Sequence, residues 1–185
     1  MSRFETLDFP YGREATMLKE MNVRTKIKID RRYLRSTRLQ FKRKIGSAIN
    51  LLEETTLSAE AEKILKLLKE IRVSANLGSG VKVESGVFYI GRGLIERSSR
   101  EYLASSILHD CYHIHQFMNH LDGYQAWFRY GKMNSQEHAS NERGALRFQL
   151  KWATALGLSR YEIDYLAGLL QNPAYQKIPQ RKRTW

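Results

Sequence analysis

Side chains alternate with a period of two over residues 23–29, where apolar or β-branched positions are separated by basic ones. This pattern predicts a β-strand with one basic face. Apolar residues at helical spacing follow over residues 36–52 and predict a helix. Residues 1–22, which contain Pro10 and Gly12, show neither period and are predicted to be loosely structured.

A second helix is predicted to begin after Ser58, a residue that suits a helix N-cap, with Glu60 and Glu62 near the positive end of the helix dipole. Its apolar stripe is expected to continue until glycines end the pattern at residues 78–80. The stripe consists of Ile64, Leu65, Leu68 and Ile71. Residues 81–83 and 87–90 are short, β-branched and apolar runs on either side of a Glu-Ser-Gly turn, and they predict a β-hairpin or a bent strand.

Capping signals with a Ser or Asn followed three residues later by Glu open three further helices. They lie at residues 98–101, 134–137 and 159–162. These helices are predicted to run to about His120, to Gly157 and to a point before Pro173, respectively. The aromatic-rich stretch between the first two, residues 124–132, is predicted to be a loop.

Two histidines, His109 and His113, lie four residues apart in the first of these later helices. At ~100° per residue, this spacing brings the second side chain to within ~40° of the first, so both project from one helical face. Two imidazoles on one face can bind a single divalent ion, and zinc is the usual occupant. A pair of histidines satisfied in the core or exposed to water is the alternative interpretation.

The next helix supplies Glu142 as a candidate third ligand. Glu142 shares a face with a mostly apolar stripe, which consists of Ala145, Leu146, Gln149, Ala153 and Leu156. A buried carboxylate is unfavourable unless a positive group compensates it, and either a metal ion or an arginine would do so. Three protein ligands and one open position are typical of a catalytic zinc site. The residues therefore predict one zinc ion held by His109, His113 and Glu142.

These residues resemble the gluzincin branch of the zincin metallopeptidases, in which His-Glu-x-x-His lies on one helix and a glutamate on a later helix. Residues 103–116 have the sequence LASSILHDCYHIHQ, and residues 141–145 have the sequence NERGA, similar to the Glu-x-x-Ala step of that family. The resemblance covers about residues 81–157. It implies a zincin-like fold, with residues 87–90 as the edge strand beside a substrate cleft, and peptide-bond hydrolysis by a metal-activated water.

Asp110 stands where that family has its general-base glutamate, so the motif is HDxxH in place of HExxH. The resemblance implies that this carboxylate takes a proton from the water and passes it to the leaving amine. Because aspartate is one methylene shorter, its carboxylate is expected to stop roughly one bond length short, and such a displacement can lower the rate ~100-fold. Three outcomes are compatible with Asp110 at this position. The enzyme is active through a shifted backbone or a relay water, it is slow, or the protein is an inactive relative. Alternatively, Asp110 orients a metal ligand.

Other polar residues are candidates for the cleft. His138 lies one turn before the candidate glutamate and is an alternative third ligand or a transition-state donor. His120 lies too far along its helix to share an ion with His109, but it can line the cleft. Tyr124 and Tyr130, in the predicted loop, are candidate donors to an oxyanion.

Charge and cysteine content narrow the choice of partner and compartment. The net charge is +12, and residues 24–44 carry ten Lys or Arg against one acid. This segment predicts either a solvated face or a surface for an acidic protein, nucleic acid or anionic lipid. Cys111 is the only cysteine, so a reducing compartment is expected. With no apolar run of ~20 residues and no recognisable signal peptide, the chain is expected to be cytoplasmic or exported by a dedicated secretion system.

Together these observations predict a mostly helical α+β protein with a zincin-like domain, whose small sheet covers the metal-binding helix. Residues 1–80 are expected to form a basic strand and helical region packed on, or extending, a metal-binding core over residues 81–185. The expected function is that of a zinc metallopeptidase acting on a protein or peptide. The alternative is a catalytically silent, zincin-derived module whose basic surface binds an acidic protein or nucleic acid. An effector domain of a bacterial or phage conflict system is compatible with both.

Overall fold

In a computed structural model that describes residues 4–6, 25–75 and 78–174, the β-strands form one mixed sheet. The strands are β1 (Phe4–Thr6), β2 (Lys26–Asp30), β3 (Glu70–Ser74), β4 (Gly80–Lys82) and β5 (Val87–Gly91). They lie in the order β1-β2-β3-β5-β4. Strands β2, β3 and β5 are parallel, whereas the edge strands β1 and β4 run antiparallel to their neighbours.

Helices account for most of the remaining described residues. They are α1 (Arg35–Glu54), α2 (Ala59–Leu65), α3 (Arg92–Arg97), α4 (Arg100–Met118), α5 (Tyr124–Tyr130), α6 (Ser135–Ala153) and α7 (Arg160–Gln171). The protein is therefore mixed α+β and mostly helical, which confirms this part of the predicted fold class.

Helix α4 is surrounded by other elements. It contacts α1, α2, α6 and the edge strand β4, and 13 of its 19 residues are buried. Because so few of its positions reach solvent, the polar side chains on α4 must find partners inside the protein. This environment makes its histidines and aspartate candidates for chemistry rather than for solvation.

One hydrophobic cluster joins the sheet and the helices and includes residues from Ile27 to Leu169. Strands β2 and β3 and helices α1 and α2, all before residue 80, contribute to this cluster together with α4 and α6. Strand β4 crosses the boundary predicted at residue 80. The division into residues 1–80 and 81–185 stays a prediction, but the two parts share a core.

The helix predicted to begin after Ser58 and to end at residues 78–80 is much shorter. Its cap is confirmed, because the Ser58 hydroxyl accepts from the Ala61 N–H, but α2 ends at Leu65 and Glu70–Ser74 form the central strand β3. Ile71 continues the helical spacing by coincidence, since a strand buried on both faces also carries apolar residues there. Pairing with β2 and β5 makes Glu70–Ser74 a strand and not part of a helix, and the local sequence does not reveal this pairing.

Three predictions near the site are corrected. Residues 124–130 form helix α5 in place of a loop, and the N–H of Gly131, at φ 66°, donates to the Trp127 carbonyl at 2.8 Å. The cap of α4 is Ser99 and not Ser98, because the Ser98 hydroxyl donates to Leu94 O at the end of the unpredicted helix α3. The edge strand next to residues 87–90 is β4, so these residues belong to the interior strand β5.

Several local predictions are confirmed. The strand, the helix and the hairpin predicted at residues 23–29, 36–52 and 81–90 correspond to β2, α1 and the β4–β5 pair, with residues 23 and 24 outside the described residues. Capping boxes begin α6 and α7, and Gly157, at φ 78°, follows α6 with two bonds typical of a glycine-terminated helix end. Phe4–Thr6 form a strand within the segment expected to be loosely structured. The rest of residues 1–22 lies outside the described residues.

Two remaining predictions concern membrane-spanning helices and the basic segment over residues 24–44. No helix among residues 25–75 and 78–174 is both long and apolar enough to cross a membrane. Within the basic segment, Arg35 and Arg43 on α1 are exposed to solvent, while the basic tail over residues 177–183 lies outside the described residues. An acidic or nucleic-acid partner for residues 24–44 stays a prediction.

Candidate metal centre

Helix α4 presents two histidines to the interior of the protein. The helix is fixed at its start by Ser99, whose hydroxyl accepts a hydrogen bond from the Tyr102 N–H at 2.8 Å. His109 and His113 are 5% and 6% exposed, and their rings meet edge to face with centroids 4.9 Å apart. The common helical face predicted from their spacing is therefore present, and it is buried.

Helix α6 carries Glu142 against this face. The helix begins at a capping box formed by Asn134 and Glu137, and it packs against α4. The stripe predicted to accompany Glu142 is buried throughout; it consists of Ala145, Leu146, Gln149, Ala153 and Leu156. Glu142 itself is 2% exposed, so its carboxylate lies in a mostly nonpolar contact surface and needs a compensating positive group.

The three side chains converge on one point. His109 Nε2 lies 3.1 Å from His113 Nε2, 3.5 Å separate His109 Nε2 from Glu142 Oε1, and 3.4 Å separate His113 Nε2 from Glu142 Oε2. One donor atom from each residue lies within 4.8 Å of the other two, so the group can hold a metal ion. The convergence predicted from two separate helices is confirmed.

The distances also fit a small tetrahedral ion. With metal–ligand bonds of about 2.0–2.1 Å, as for zinc, neighbouring ligand atoms of a tetrahedron lie roughly 3.3 Å apart. The two imidazole nitrogens, 3.1 Å apart, lie close to that value, and the two carboxylate oxygens of Glu142 lie 3.5 Å from His109 Nε2 and 3.4 Å from His113 Nε2, respectively. The donor set, two imidazole nitrogens and a carboxylate, is one that zinc commonly takes in catalytic sites. These residues therefore fit such an ion in both chemistry and spacing.

Electrostatics place Glu142 in the form that binds metals. Burial alone would raise the pKa of Glu142, but hydrogen bonding and electrostatic attraction to the imidazoles of His109 and His113 lower it well below its usual range. The carboxylate is therefore ionised at neutral pH. An ionised carboxylate is required for metal ligation.

Hydrogen bonds beyond the three side chains hold His113 in place. Its Nδ1 atom lies 2.9 Å from Gln116 Oε1. The Gln116 amide nitrogen donates to Asp122 Oδ2 at 2.7 Å and to the Asn141 carbonyl at 3.0 Å, and Asn141 Oδ1 accepts from the Gly123 N–H at 2.7 Å. This network joins α4, the following turn and α6 directly behind the metal-binding face.

An open cleft of about 180 Å³ borders the group on one side. His113 and Glu142 border this cleft, and three aromatic side chains contribute to its wall. The wall includes Phe117, Tyr124 and Trp127, together with Met133 and His138. The structure therefore brings two of the predicted cleft residues, Tyr124 and His138, next to the candidate ligands.

Two other predicted cleft residues lie elsewhere. His120 follows α4 at φ 53°, is exposed, and stacks on Phe128 with ring centroids 3.7 Å apart. Tyr130, at the end of α5, is 69% exposed. Both side chains face solvent, and neither residue lines the cleft.

Asp110 and Tyr124 complete the surroundings of the group. Asp110 is buried and borders a narrower cavity together with His109, Ser79 and Tyr102. Tyr124 is buried in the cleft wall, and burial together with the carboxylates of Glu84, Asp110 and Glu142 raises its pKa well above the usual range. Its phenol therefore keeps its proton and can donate a hydrogen bond.

Sequence reasoning missed Gln116, Asp122 and Asn141. One signal for Gln116 was present, since a residue three positions after a histidine lies on the same helical face and can reach its ring. Asp122 and Asn141 carry no comparable local signal. Their role depends on the approach of α6 to the end of α4.

Comparisons with protein-family models, curated proteins and solved structures give no match for this chain. The chemistry of the site is therefore inferred from its own geometry.

Proposed function

We propose that this protein is a zinc-dependent metallopeptidase with a zincin-like fold, in which His109, His113 and Glu142 hold one zinc ion. The observation that carries the proposal is the convergence of two imidazole nitrogens and a carboxylate at separations of 3.1, 3.4 and 3.5 Å. Three such ligands leave one position of a tetrahedral ion open, as catalytic zinc requires.

Strand β4 supports a peptide as the substrate. It is an edge strand that runs antiparallel to β5 and contacts α4. The residues that follow it directly, Val83 and Glu84, border the cleft that holds His113 and Glu142. An extended peptide can add to an edge strand through backbone hydrogen bonds, and a peptide bound there would pass the candidate ligands.

The chain's own residues take the remaining roles. When bound, zinc would supply the Lewis acidity that makes a water nucleophilic near neutral pH. Asp110 would take the proton from the attacking water and deliver it to the leaving amine nitrogen. Tyr124 would donate a hydrogen bond to the oxygen of the scissile carbonyl as negative charge develops there, and His138 is a second donor in the same cleft.

Hydrolysis of an unfolded protein substrate tests this proposal. The zinc-loaded chain is expected to cleave the substrate, a chelator is expected to stop cleavage, and added zinc is expected to restore it. His113→Ala is expected to be inactive, whereas His115→Ala, a change on the same helix outside the candidate ligand set, is expected to keep activity. Equal cleavage by the two variants would contradict the proposal.

A second candidate function is favoured by the position of Asp110. This residue borders the narrower cavity with His109, whereas His113 and Glu142 border the cleft. A carboxylate displaced from the substrate side would leave a metal-binding module without hydrolysis. In the same experiment, such a module would retain zinc in a His113-dependent manner and cleave nothing.

A further inference from the structure

We propose that Gln116 is a positioning residue that fixes His113 in the tautomer protonated at Nδ1, so that Nε2 is the atom offered to a metal. The proposal concerns the same site as the proposed function and rests on it for the identity of the metal. The tautomer itself is a property of the metal-free chain. It can therefore be tested even if the chain proves to bind no metal.

The orientation of the Gln116 amide is set by two acceptors. Its nitrogen lies 2.7 Å from Asp122 Oδ2 and 3.0 Å from the Asn141 carbonyl oxygen. A carboxylate and a backbone carbonyl can only accept hydrogen bonds, so the NH₂ group must face them. If the amide were rotated by 180°, its oxygen would face both acceptors and two hydrogen bonds would be lost inside the protein, where Gln116 is 0% exposed.

The amide orientation in turn sets the proton on His113. Gln116 Oε1 lies 2.9 Å from His113 Nδ1, and an amide oxygen can only accept, so Nδ1 must donate. A neutral imidazole protonated at Nδ1 has its lone pair on Nε2. In His113 this atom lies 3.1 Å from His109 Nε2 and 3.4 Å from Glu142 Oε2. The lone pair is thus directed into the metal group before any ion binds.

The two histidines differ in this respect. His109 Nδ1 is buried and has no hydrogen-bond partner within the part of the chain that the structure describes. The ring of His109 therefore has polar contacts only through Nε2, inside the metal group, while that of His113 is also held by a hydrogen bond at Nδ1. Partners of this kind commonly orient metal-binding histidines, and their loss typically weakens metal binding 10–100-fold.

The surrounding backbone keeps the network in place. Asp122 has φ 52°, a left-handed conformation that glycine adopts without strain. Its carboxylate accepts a hydrogen bond from Gln116 in a turn whose backbone conformation would also suit glycine. The Gly123 N–H donates to Asn141 Oδ1 at 2.7 Å, and this bond ties the turn to α6.

Two measurements test the proposal. First, nitrogen NMR of the ring of His113 in the metal-free wild-type chain at pH 8 is expected to show the proton on Nδ1. Second, competition with a chromophoric chelator gives the zinc affinity of three variants. Gln116→Met and Asp122→Gly are expected to bind zinc 10–100-fold more weakly than wild type. Asp122→Asn keeps an acceptor oxygen for Gln116 and is expected to bind within about threefold of wild type.

Asp122→Gly separates positioning from folding, because the left-handed backbone at this position suits glycine and the variant is therefore expected to stay folded at the temperature of the binding measurement. A proton on His113 Nε2 in the metal-free chain, or wild-type zinc affinity in Gln116→Met, would overturn the proposal. Failure of the wild-type chain to bind zinc would instead overturn the proposed function, and the NMR result would still decide the tautomer.

Discussion

His109 and His113 project from the same buried helix face, and their Nε2 atoms lie 3.1 Å apart. Two imidazole lone pairs cannot occupy such a distance without repulsion unless a proton or a cation lies between them. The carboxylate of Glu142 adds a negative charge within 3.5 Å of both nitrogens. A small cation satisfies all three groups at once, and this relationship underlies the proposed function.

The length of the Asp110 side chain is expected to limit the rate of hydrolysis. Asp110→Glu extends the carboxylate by one methylene and is expected to raise kcat by up to ~100-fold, whereas Asp110→Asn removes the base and should abolish cleavage. Steady-state kinetics on a fluorogenic peptide measure both effects. The zinc content of the two variants serves as the control and is expected to stay at the wild-type level. A rate unchanged by Asp110→Asn would exclude Asp110 as the base.

Tyr124 is expected to stabilise the transition state without holding the metal. Its raised pKa keeps the phenol protonated, so Tyr124→Phe removes one hydrogen-bond donor and is expected to lower kcat 10–1000-fold with little change in KM. Tyr130→Phe, at a residue that is 69% exposed and outside the cleft, is the matched control and is expected to behave like wild type. Equal kcat values for the two variants would remove Tyr124 from the mechanism.

Gly144 allows α6 to approach the Gln116 network closely. A Cβ at this position would lie 2.5 Å from Gln116 Nε2 and 3.0 Å from Asp122 Oδ2. Gly144→Ala is therefore expected to displace the amide and weaken zinc binding about tenfold or more. Gly168→Ala, in α7 with no atom within 4 Å of a new Cβ, is expected to stabilise the fold by about 0.5–1 kcal/mol and leave zinc affinity unchanged. The prediction is wrong if both variants bind zinc as wild type does.

Stability in acid is expected to depend on Asp30. Hydrogen bonds from Arg32, together with its charge, lower the pKa of this carboxyl from 3.8 to about 2. A lowered pKa means that the stabilisation is complete above about pH 4 and is lost as the pH falls toward 2. Asp30→Asn should thus lower the free energy of unfolding by about 1–2 kcal/mol at pH 6, reduced from the full shift because Arg32 is partly exposed.

Urea titrations at pH 6, 4 and 2.5 measure this dependence, and the difference between Asp30→Asn and wild type should shrink as the pH falls. Asp164→Asn is the control, since Asp164 pairs with Arg160 on an exposed part of α7, and it is expected to change stability little at any of these pH values. A difference for Asp30→Asn that does not vary with pH would contradict this account.

The predicted site residues that the structure brings together are those whose signals are local. The spacing of His109 and His113 fixes a common face whatever the fold, because helix geometry alone sets it. Glu142 was found because an acid in an apolar stripe requires a partner. The capping boxes of α6 and α7 are also local signals, because each is formed by residues three positions apart.

What the sequence could not predict depends on contacts between distant residues. Strand β3 resembles the end of a helix until its pairing with β2 and β5 is known. Gln116 lies 25 residues before Asn141, the carbonyl that it contacts, and no local pattern links them. The aromatic stretch that forms α5 is predicted to be a loop from its sequence. In the structure, Tyr124 of α5 packs edge to face on Phe117 of α4, a contact that the local sequence does not reveal.

Metal content measures the central claim most directly. The purified chain is incubated with excess zinc, desalted and analysed by mass spectrometry for zinc per chain, beside Glu142→Gln, His113→Ala and the control His115→Ala. We expect one zinc per chain in wild type and His115→Ala, and well below one in the other two variants. Zinc in the wild-type chain no higher than in His113→Ala would contradict the account, because His109, His113 and Glu142 would then not form a metal site.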